Sequence, residues 1–198
     1  MKNSAQNKAA NNNDELYIKI KSGWFQKVVS EQFKTQNYYT ILNYYLLEAA
    51  TADQSFKHIE LQDIGWPKNV FKKSTLYNLM FSNFIDRNSI FIKEKKDDFK
   101  RALNELNFNK SFHKIRVEGI VAQKKNGMNR INSVLYHIRN SLAHGRFQIY
   151  SDGNDIFYCF ESGIIKRKAD LFSLKSRMII KEQTLLSWIN LLFNPTDN

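Results

Sequence analysis

The most constraining feature of the sequence is an apolar helical face between residues 128 and 142, followed by a glycine at position 145. Its apolar residues recur at intervals of three and four, which is the spacing of one side of an α-helix. They are Met128, Ile131, Val134, Leu135, Ile138 and Leu142. Glycine commonly follows a helix C-terminus, so Gly145 predicts where this helix ends. An element of this kind must bury its apolar face against further secondary structure.

Most of the remaining apolar pattern is also helical. It predicts two amphipathic helices over 24–49 with a break near 35–37, a helix over 97–109 and a closing helix over 185–192. Residues 111–123 fit neither period cleanly, and we predict a helix there. Strand patterns are short, and they cover residues 90–92, a hairpin of 147–150 with 156–160, and 178–180. The sequence therefore predicts a mainly α fold, with an all-α core, a small C-terminal β-hairpin and a closing helix.

Length and composition indicate one domain with a polar arm. The chain has 198 residues, of which 42% are hydrophobic and 14% aromatic, and this supplies a packed core. Residues 1–14 are polar and rich in Asn, so we predict a flexible arm there. Residues 15–198 then form a single domain. Within this domain, residues 56–96 have the layout of a helix-turn-helix insertion with a short wing. An ordinary helical segment with a basic solvated face is the preferred explanation of the same pattern.

The charge and cysteine content restrict the partners and the compartment. Thirty Lys and Arg residues against nineteen Asp and Glu residues give a net charge of +11, which attracts polyanions such as nucleic acids. The single cysteine, Cys159, excludes an intrachain disulfide framework and a cysteine-based zinc cluster. No stretch reaches the roughly 18 apolar residues of a membrane span, and the first residues contain no apolar signal region. We therefore expect a cytoplasmic protein with no membrane partner.

Polar and basic side chains gather at the C-terminal end of the helix predicted over 128–142. Residues 137–146 read HIRNSLAHGR and contain Arg139, Asn140 and His144. Asn140 and His144 share a helix face, whereas Arg139 and His144 lie about 140° apart unless the last turn tightens or unwinds. Histidine can move a proton near neutral pH, and arginine neutralises charge that develops on phosphoryl oxygens. These residues are therefore candidates for phosphodiester chemistry, which needs no metal in either role.

This segment resembles the ribonuclease members of the HEPN superfamily (higher eukaryotes and prokaryotes nucleotide-binding). Their motif is an Arg, a polar residue that is often Asn, three further residues and a His, matched here by Arg139, Asn140, 141–143 and His144. The resemblance covers 128–193 and extends loosely over 15–127; the hairpin and closing helix are similar to a plasmid- and phage-defence-associated bacterial branch. It implies a HEPN-like helical bundle.

The resemblance also implies an activity and its partners. The activity is a metal-independent endoribonuclease without a cofactor, in which the ribose 2′-OH attacks the adjacent phosphate and leaves a 2′,3′-cyclic phosphate and a 5′-OH. His144 would be the acid and base, and Arg139 would stabilise the phosphoryl group. Asn140 would orient the histidine or the phosphate. The substrate would be RNA, the site would be composite within a homodimer, and the role would be antiphage defence or that of a toxin with an antitoxin or defence-system partner. Related toxins often carry a modified Tyr two residues after the His; Arg146 stands there, which excludes that modification.

Five further residues are predicted to contact RNA because they flank this motif with basic or polar side chains. They are Arg130, His137, Arg146, Lys124 and Lys125. Arg130 and His137 also have a motif-like spacing, but Ile131 follows the Arg where the family has a polar residue. We therefore interpret this second match as a coincidence that lies beside the site.

Each candidate has a structural alternative. His144 is also explained as a cation at a helix C-terminus, Arg139 as a partner of an acidic side chain, and the lysine clusters as solvated faces. Two other functions fit the sequence: a non-catalytic RNA- or partner-binding module, and a DNA-binding regulator that uses 56–96. Product chemistry and single-residue dependence would separate these functions, whereas salt-sensitive binding would not, because all of them predict it.

Overall fold

A mixed β-sheet is the central element of the computed structural model, which describes residues 17–19, 24, 31–49, 59–70, 74–109, 117–166 and 171–195. Six strands of this part of the chain form the sheet. They are β1 (Tyr17–Lys19), β2 (Ile90–Lys93), β3 (Gly119–Gln123), β4 (Phe147–Asp152), β5 (Asp155–Lys166) and β6 (Leu171–Lys181). Five follow the spatial order β2-β3-β6-β5-β4, and β1 pairs with the start of β6. Only β2 and β3 pair in parallel among these strands.

Helices cover both faces of this sheet. The α-helices are α1 (Gln36–Leu42), α2 (Ser74–Tyr77), α3 (Lys96–Glu105), α4 (Arg130–Ala143) and α5 (Glu182–Phe193). Two of them continue as π-helical turns, α1 into Asn43–Glu48 and α2 into Asn78–Ser82. Short 3₁₀ turns occupy Glu31–Phe33, Leu61–Ile64 and Arg87–Ser89.

The sheet separates two apolar clusters in the described chain. On one face, Tyr158, Phe160, Met178 and Ile180 pack with α1, α4 and α5. On the other face, a smaller set packs with α3, and it comprises Phe157, Cys159, Phe172, Leu174 and Ile179 together with Trp24 and Phe108. Successive residues of a strand point to opposite faces, so β5 and β6 contribute alternately to both clusters.

The mainly α prediction is wrong, and so is the all-helical description of the core. The chain builds a mixed α/β fold in which β5 and β6 are far longer than the predicted hairpin and strand. β3 and residues 157–160 of β5 are buried on both faces, so they read as apolar runs without the alternation that marks a half-exposed strand. β6 is buried as well, but Ser173, Ser176 and Arg177 interrupt its apolar pattern. This fold is not the bundle that the HEPN resemblance implies.

The clearest single error lies at residues 119–123, where a helix was predicted. These residues form β3, four of whose five members are buried between β2 and β6. A short apolar run of this length fits a buried strand or a buried helix equally well, so periodicity alone did not decide. Residues 111–116 lie outside the described part of the chain.

Other elements are confirmed. α4 and α5 occupy the helices predicted over 128–142 and 185–192, α3 lies within 97–109 apart from its first residue, and β4 with β5 forms the predicted hairpin. The break near 35–37 is also present, since Thr35 is the N-cap of α1 and its side chain accepts a hydrogen bond from the Tyr38 amide. The predicted arm 1–14 lies outside the described residues.

The segment 56–96 contributes its strand to the central sheet. β2 pairs in parallel with β3, and α3 makes the crossover between them. The residues that would form the two helices of a helix-turn-helix include 56–58 and 71–73, which the structure does not describe. The DNA-binding role of 56–96 stays a prediction.

Candidate nucleic-acid interface

Helix α4 carries the candidate residues, and both of its ends are defined by local hydrogen bonds. At its start, the side chain of Asn129 accepts a hydrogen bond of 2.8 Å from the Asn132 amide. At its end, the Gly145 amide bonds to Leu142 O at 3.1 Å and the Arg146 amide bonds to Ser141 O at 2.8 Å. This pair of bonds is a Schellman motif, and it needs the positive φ of +63° that Gly145 adopts. α4 is therefore regular up to Ala143.

The regularity of α4 fixes how its motif residues lie around the axis. Arg139 and His144 stay about 140° apart, because the last turn neither tightens nor unwinds before Ala143. Asn140 and His144 share one face, on which Asn140 is half-buried and His144, the C-cap residue, is exposed. Arg139 is half-buried, and its Nε has no hydrogen-bond partner within the described chain. One chain thus brings Asn140 and His144 together but not Arg139.

A pocket of about 330 Å³ opens beside Asn140, between α4, the end of β3 and the β5–β6 pair. Its wall includes Tyr136 and Asn140 from α4, and its floor includes His137 and Ser162. Its rim carries Lys124, Lys125 and Lys175. Small-molecule and group-binding sites have this size and this mixture of apolar walls with a few polar groups.

The floor of the pocket is a chain of hydrogen bonds through His137. Its Nε2–H donates to Gln123 O at 2.8 Å, which leaves Nδ1 to accept from Ser162 Oγ–H at 2.5 Å. Ser162 Oγ in turn accepts from Ser176 Oγ–H at 3.2 Å. The network joins α4 to β3, β5 and β6.

His137 is a neutral structural residue in this network. Its side chain is 4% exposed, and burial lowers its pKa from 6.5 to about 4, with Lys125 and Lys175 lowering it further against the opposing effect of the Gln123 hydrogen bond. Such an imidazole is a weak base at neutral pH and has both nitrogens occupied. His137 was predicted to contact RNA; its place is beneath the pocket surface, where it holds Ser162 in position.

Lys175 reaches the pocket through a β-bulge. Ser162 pairs with Ser176 and the next pair is Gly163 with Leu174, so Lys175 is an extra residue on β6. The bulge explains why Leu174 and Ile179 belong to the same cluster although five positions separate them. It also places Lys175 and Ser176 on the same side, facing α4.

The two lysines predicted to contact RNA both line the pocket. Lys124 Nζ lies 2.8 Å from Glu94 Oε1, and this ion pair lowers the pKa of the Glu94 carboxyl. Lys125 is exposed, and its Nζ lies 3.7 Å from the centre of the Tyr136 ring. The structure therefore brings Lys124, Lys125, His137 and Asn140 together around one cavity.

Arg146 and Arg130 lie elsewhere. Arg146 forms an ion pair with the fully buried Glu161, which Arg177 contacts from the other side at 2.9 Å. Glu161 and Ser162 are neighbours in β5, so this ion-pair group lies on the opposite face of the sheet from the pocket. Arg130 is exposed at the start of α4, with its guanidinium 5.9 Å from the ring of Tyr77. It is about 20 Å along the helix from His144.

Among the pocket residues that the sequence analysis missed are Tyr136, Ser162 and Lys175. Tyr136 carried a usable signal, because it stands four positions before Asn140 and eight before His144 on the same helix face. Ser162 and Lys175 carried none. Their positions depend on the pairing of β5 with β6 and on the bulge, which no local pattern reveals.

No family model matches the chain, and no curated protein or solved structure is significantly similar to it. In the described ranges, no group of three or more His, Cys, Asp or Glu side chains is arranged to hold a metal ion. Across the same residues, no helix has the length and apolar character that a bilayer crossing requires.

Proposed function

We propose that this chain is a metal-independent endoribonuclease of HEPN type that acts in the cytoplasm. The observation that supports this best is the single face of α4 on which Asn140 borders the lysine-rimmed pocket and the exposed His144 follows one turn later. Lysines at a cavity favour the phosphates of a bound strand. An exposed imidazole one helical turn beyond the pocket has access to the ribose and phosphate of that strand.

The reaction would run through the ribose 2′-OH. His144 accepts the 2′-OH proton as the oxygen attacks the adjacent phosphorus, and the bond from phosphorus to the 5′ oxygen breaks. His144 then gives the proton to that 5′ oxygen, which leaves as a 5′-OH, and the other product ends in a 2′,3′-cyclic phosphate. The Asn140 amide donates a hydrogen bond to a non-bridging oxygen, whose charge grows in the transition state.

Arg139 enters this scheme from a second copy of the chain. Since Arg139 and His144 lie about 140° apart on one helix, one protomer presents them to different directions. A homodimer with α4 near its two-fold axis would set Arg139 of one chain beside His144 of the other. Antiphage defence or a toxin function, with an antitoxin or defence-system partner, is the biological role that the HEPN resemblance suggests for such an enzyme.

A second candidate is an RNA-binding module without cleavage. The separation of Arg139 from His144 favours it, because a monomer with this geometry retains the basic pocket but not the composite charge stabilisation. The two candidates share their binding surface and differ in their products.

The test is cleavage of a mixed-sequence, end-labelled RNA by the purified protein in EDTA, with identification of the 3′ ends. We expect the unaltered protein to leave cyclic phosphate and His144→Ala to leave the RNA intact. Lys68→Ala is the matched control, because Lys68 is exposed and outside the pocket. RNA bound by both proteins but cut by neither, in monomer and dimer fractions alike, would select the binding module.

A further inference from the structure

The pocket beside α4 has a basic rim and an aromatic wall, and these features suit one repeating unit of a nucleic acid strand. We propose that it holds a single unstacked nucleotide of RNA, with the phosphate between Lys125 and Lys175 and the base beside Tyr136 and Asn140. This inference rests on the proposed function for its choice of RNA as the ligand. It adds the class of substrate, single-stranded RNA, and assigns Lys175 and Tyr136 to its recognition.

The charges around the pocket favour an anion. Lys125 and Lys175 both lie close enough to the His137 imidazole to affect its titration. None of the described residues that line the pocket is acidic, and the nearby Glu94 is paired with Lys124. A phosphate group that enters between two ammonium groups gains charge-assisted contacts with both.

The fold supplies one of these ammonium groups by a specific device. Lys175 is the extra residue of the β6 bulge, and the bulge lets it share the pocket side with its neighbour Ser176, whereas regular alternation would set these two residues on opposite faces. Bulges commonly re-aim a side chain beside a binding site. The bulge is held in place by the Ser176–Ser162–His137 hydrogen bonds, so the floor of the pocket also sets the position of Lys175.

The wall of the pocket suits a nucleobase. The Tyr136 ring is half-buried, and Lys125 Nζ lies over it, 3.7 Å from the ring centre. A phosphate that attracts Lys125 would expose this ring face for stacking, as aromatic side chains do in single-strand binding proteins. Among the described residues, Asn140 Nδ2 makes a long contact of 3.5 Å with Tyr136 OH, so the amide can turn, with Nδ2 donating to the phosphate and Oδ1 accepting from a base edge.

The shape of the site selects for single strands. The cavity of about 330 Å³ is recessed between a helix and a sheet, and only a base that has left its stack can enter it. In a duplex the bases remain paired and stacked inside the helix, so none of them can enter the pocket without being unpaired and unstacked first. Duplex RNA would therefore meet only the rim.

The test measures binding in the His144→Ala background, so that no RNA is cut. The ligands are a labelled single-stranded RNA, the blunt duplex of the same sequence, and adenosine 3′,5′-bisphosphate as a free nucleotide. We expect Lys175→Gln to weaken single-strand binding and to reduce the slope of log K against log salt concentration by about 0.7, the loss of one phosphate contact. Tyr136→Leu should weaken it roughly tenfold through lost stacking. Lys68→Gln is the control for general charge loss.

Each outcome decides the inference. If the binding of both the single-stranded RNA and the bisphosphate depends on Lys175 and Tyr136, the pocket holds one nucleotide of a strand. If only the binding of the bisphosphate depends on them, the pocket exists but its ligand is a free nucleotide. Equal binding of single strand and duplex, with Lys175→Gln and Tyr136→Leu unchanged, would overturn it. Lys125→Gln serves the same purpose if either variant fails to fold.

The cleavage assay keeps this result separate from the proposed function. If cleavage depends on His144 but not on Lys175 or Tyr136, nucleotide binding in the pocket is rejected and the ribonuclease activity stands. If RNA binding depends on Lys175 and Tyr136 but the unaltered protein does not cut RNA, the ribonuclease activity is rejected and nucleotide binding in the pocket stands.

Discussion

His137 Nδ1 lies 2.5 Å from Ser162 Oγ, so a residue of α4 and a residue of β5 share one buried hydrogen bond at the floor of the pocket. With Nε2 bonded to Gln123 O, the imidazole is held as the neutral Nε2–H tautomer. The bond couples the placement of α4, which carries Asn140 and His144, to the strand pair that carries Lys175. Protonation of His137 would reverse the direction of this bond and place a positive charge in the buried floor of the pocket.

The stability of the protein should therefore fall in mild acid. The pKa of His137 is lowered from 6.5 to about 4 by burial, so the unfolded chain binds a proton first as the pH falls. The contribution is complete above pH 6.5 and is lost as the pH falls through about 4, with a size of about 3 kcal/mol. Urea unfolding at a series of pH values measures it. His137→Gln should be less stable at pH 7, and its unfolding free energy should change less between pH 6.5 and 4. An equal pH dependence of the unfolding free energy in both proteins would contradict the assignment.

Glu161 should be essential for folding stability. Its carboxylate is fully buried between Arg146 and Arg177, and Arg177 also donates to Phe108 O. Glu161→Gln removes the charge and leaves two guanidinium groups facing each other, which should cost about 3–5 kcal/mol. Chemical denaturation would measure this loss. Glu105→Gln is the control, since Glu105 is exposed at the end of α3, and its unfolding free energy should change little.

Gly163→Ala should disrupt the bulge. An added Cβ would overlap the main-chain oxygen of Ser173 and approach Phe172 Cζ to 2.7 Å, so the β5–β6 pair must shift. We expect a loss of roughly 1–3 kcal/mol or more, as for other overpacked sites. Because Lys175 depends on the bulge, RNA affinity at low salt should fall as well. Ser151→Ala, at an exposed position of β4, tests for general strand effects; if Gly163→Ala matches this control in both assays, the bulge does not position Lys175.

A composite site makes a distinct prediction for mixed variants. Arg139→Ala and His144→Ala should each be inactive alone. In a heterodimer of the two, one site receives Arg139 from one chain and His144 from the other and is intact, while the second site lacks both. Random mixing makes half of the dimers heterodimers with one working site of two, so about a quarter of the full activity should return. Co-refolded protein in the RNA assay measures it, and no recovery from a confirmed heterodimer would place the site within one chain.

Local pattern predicted the elements better than the fold. α4 was predictable because its apolar face is regular and Gly145 marks its end, and the placement of Asn140 with His144 followed from the same helix. The sheet was not predictable to the same degree. β3 is buried on both faces, which removes the alternation that identifies strands, and its short apolar run was read as helix. The middle of β6 is also buried, but Ser173, Ser176 and Arg177 interrupt its apolar pattern.

The candidate site was predictable only where it lies on α4 or next to it. Lys124, Lys125 and Asn140 were found, since they flank or belong to that helix. Lys175 reaches the pocket because it is an extra residue in the β5–β6 pair, and Arg146 forms an ion pair with Glu161 on the other face of the sheet. Both facts depend on strand register, which is set by pairing between distant parts of the chain.

The central position of β6 also affects the timing of folding during synthesis. β6 pairs with β1, β3 and β5, so the sheet remains open until residues 171–181 have left the ribosome. Contacts between distant parts of a chain form slowly, and open strand edges are exposed to aggregation in the meantime. A nascent chain that has already exposed His144 still lacks Lys175 and the floor beneath it. Under the proposed function, the RNA-binding pocket is therefore completed only after β6 has emerged and paired with its neighbours.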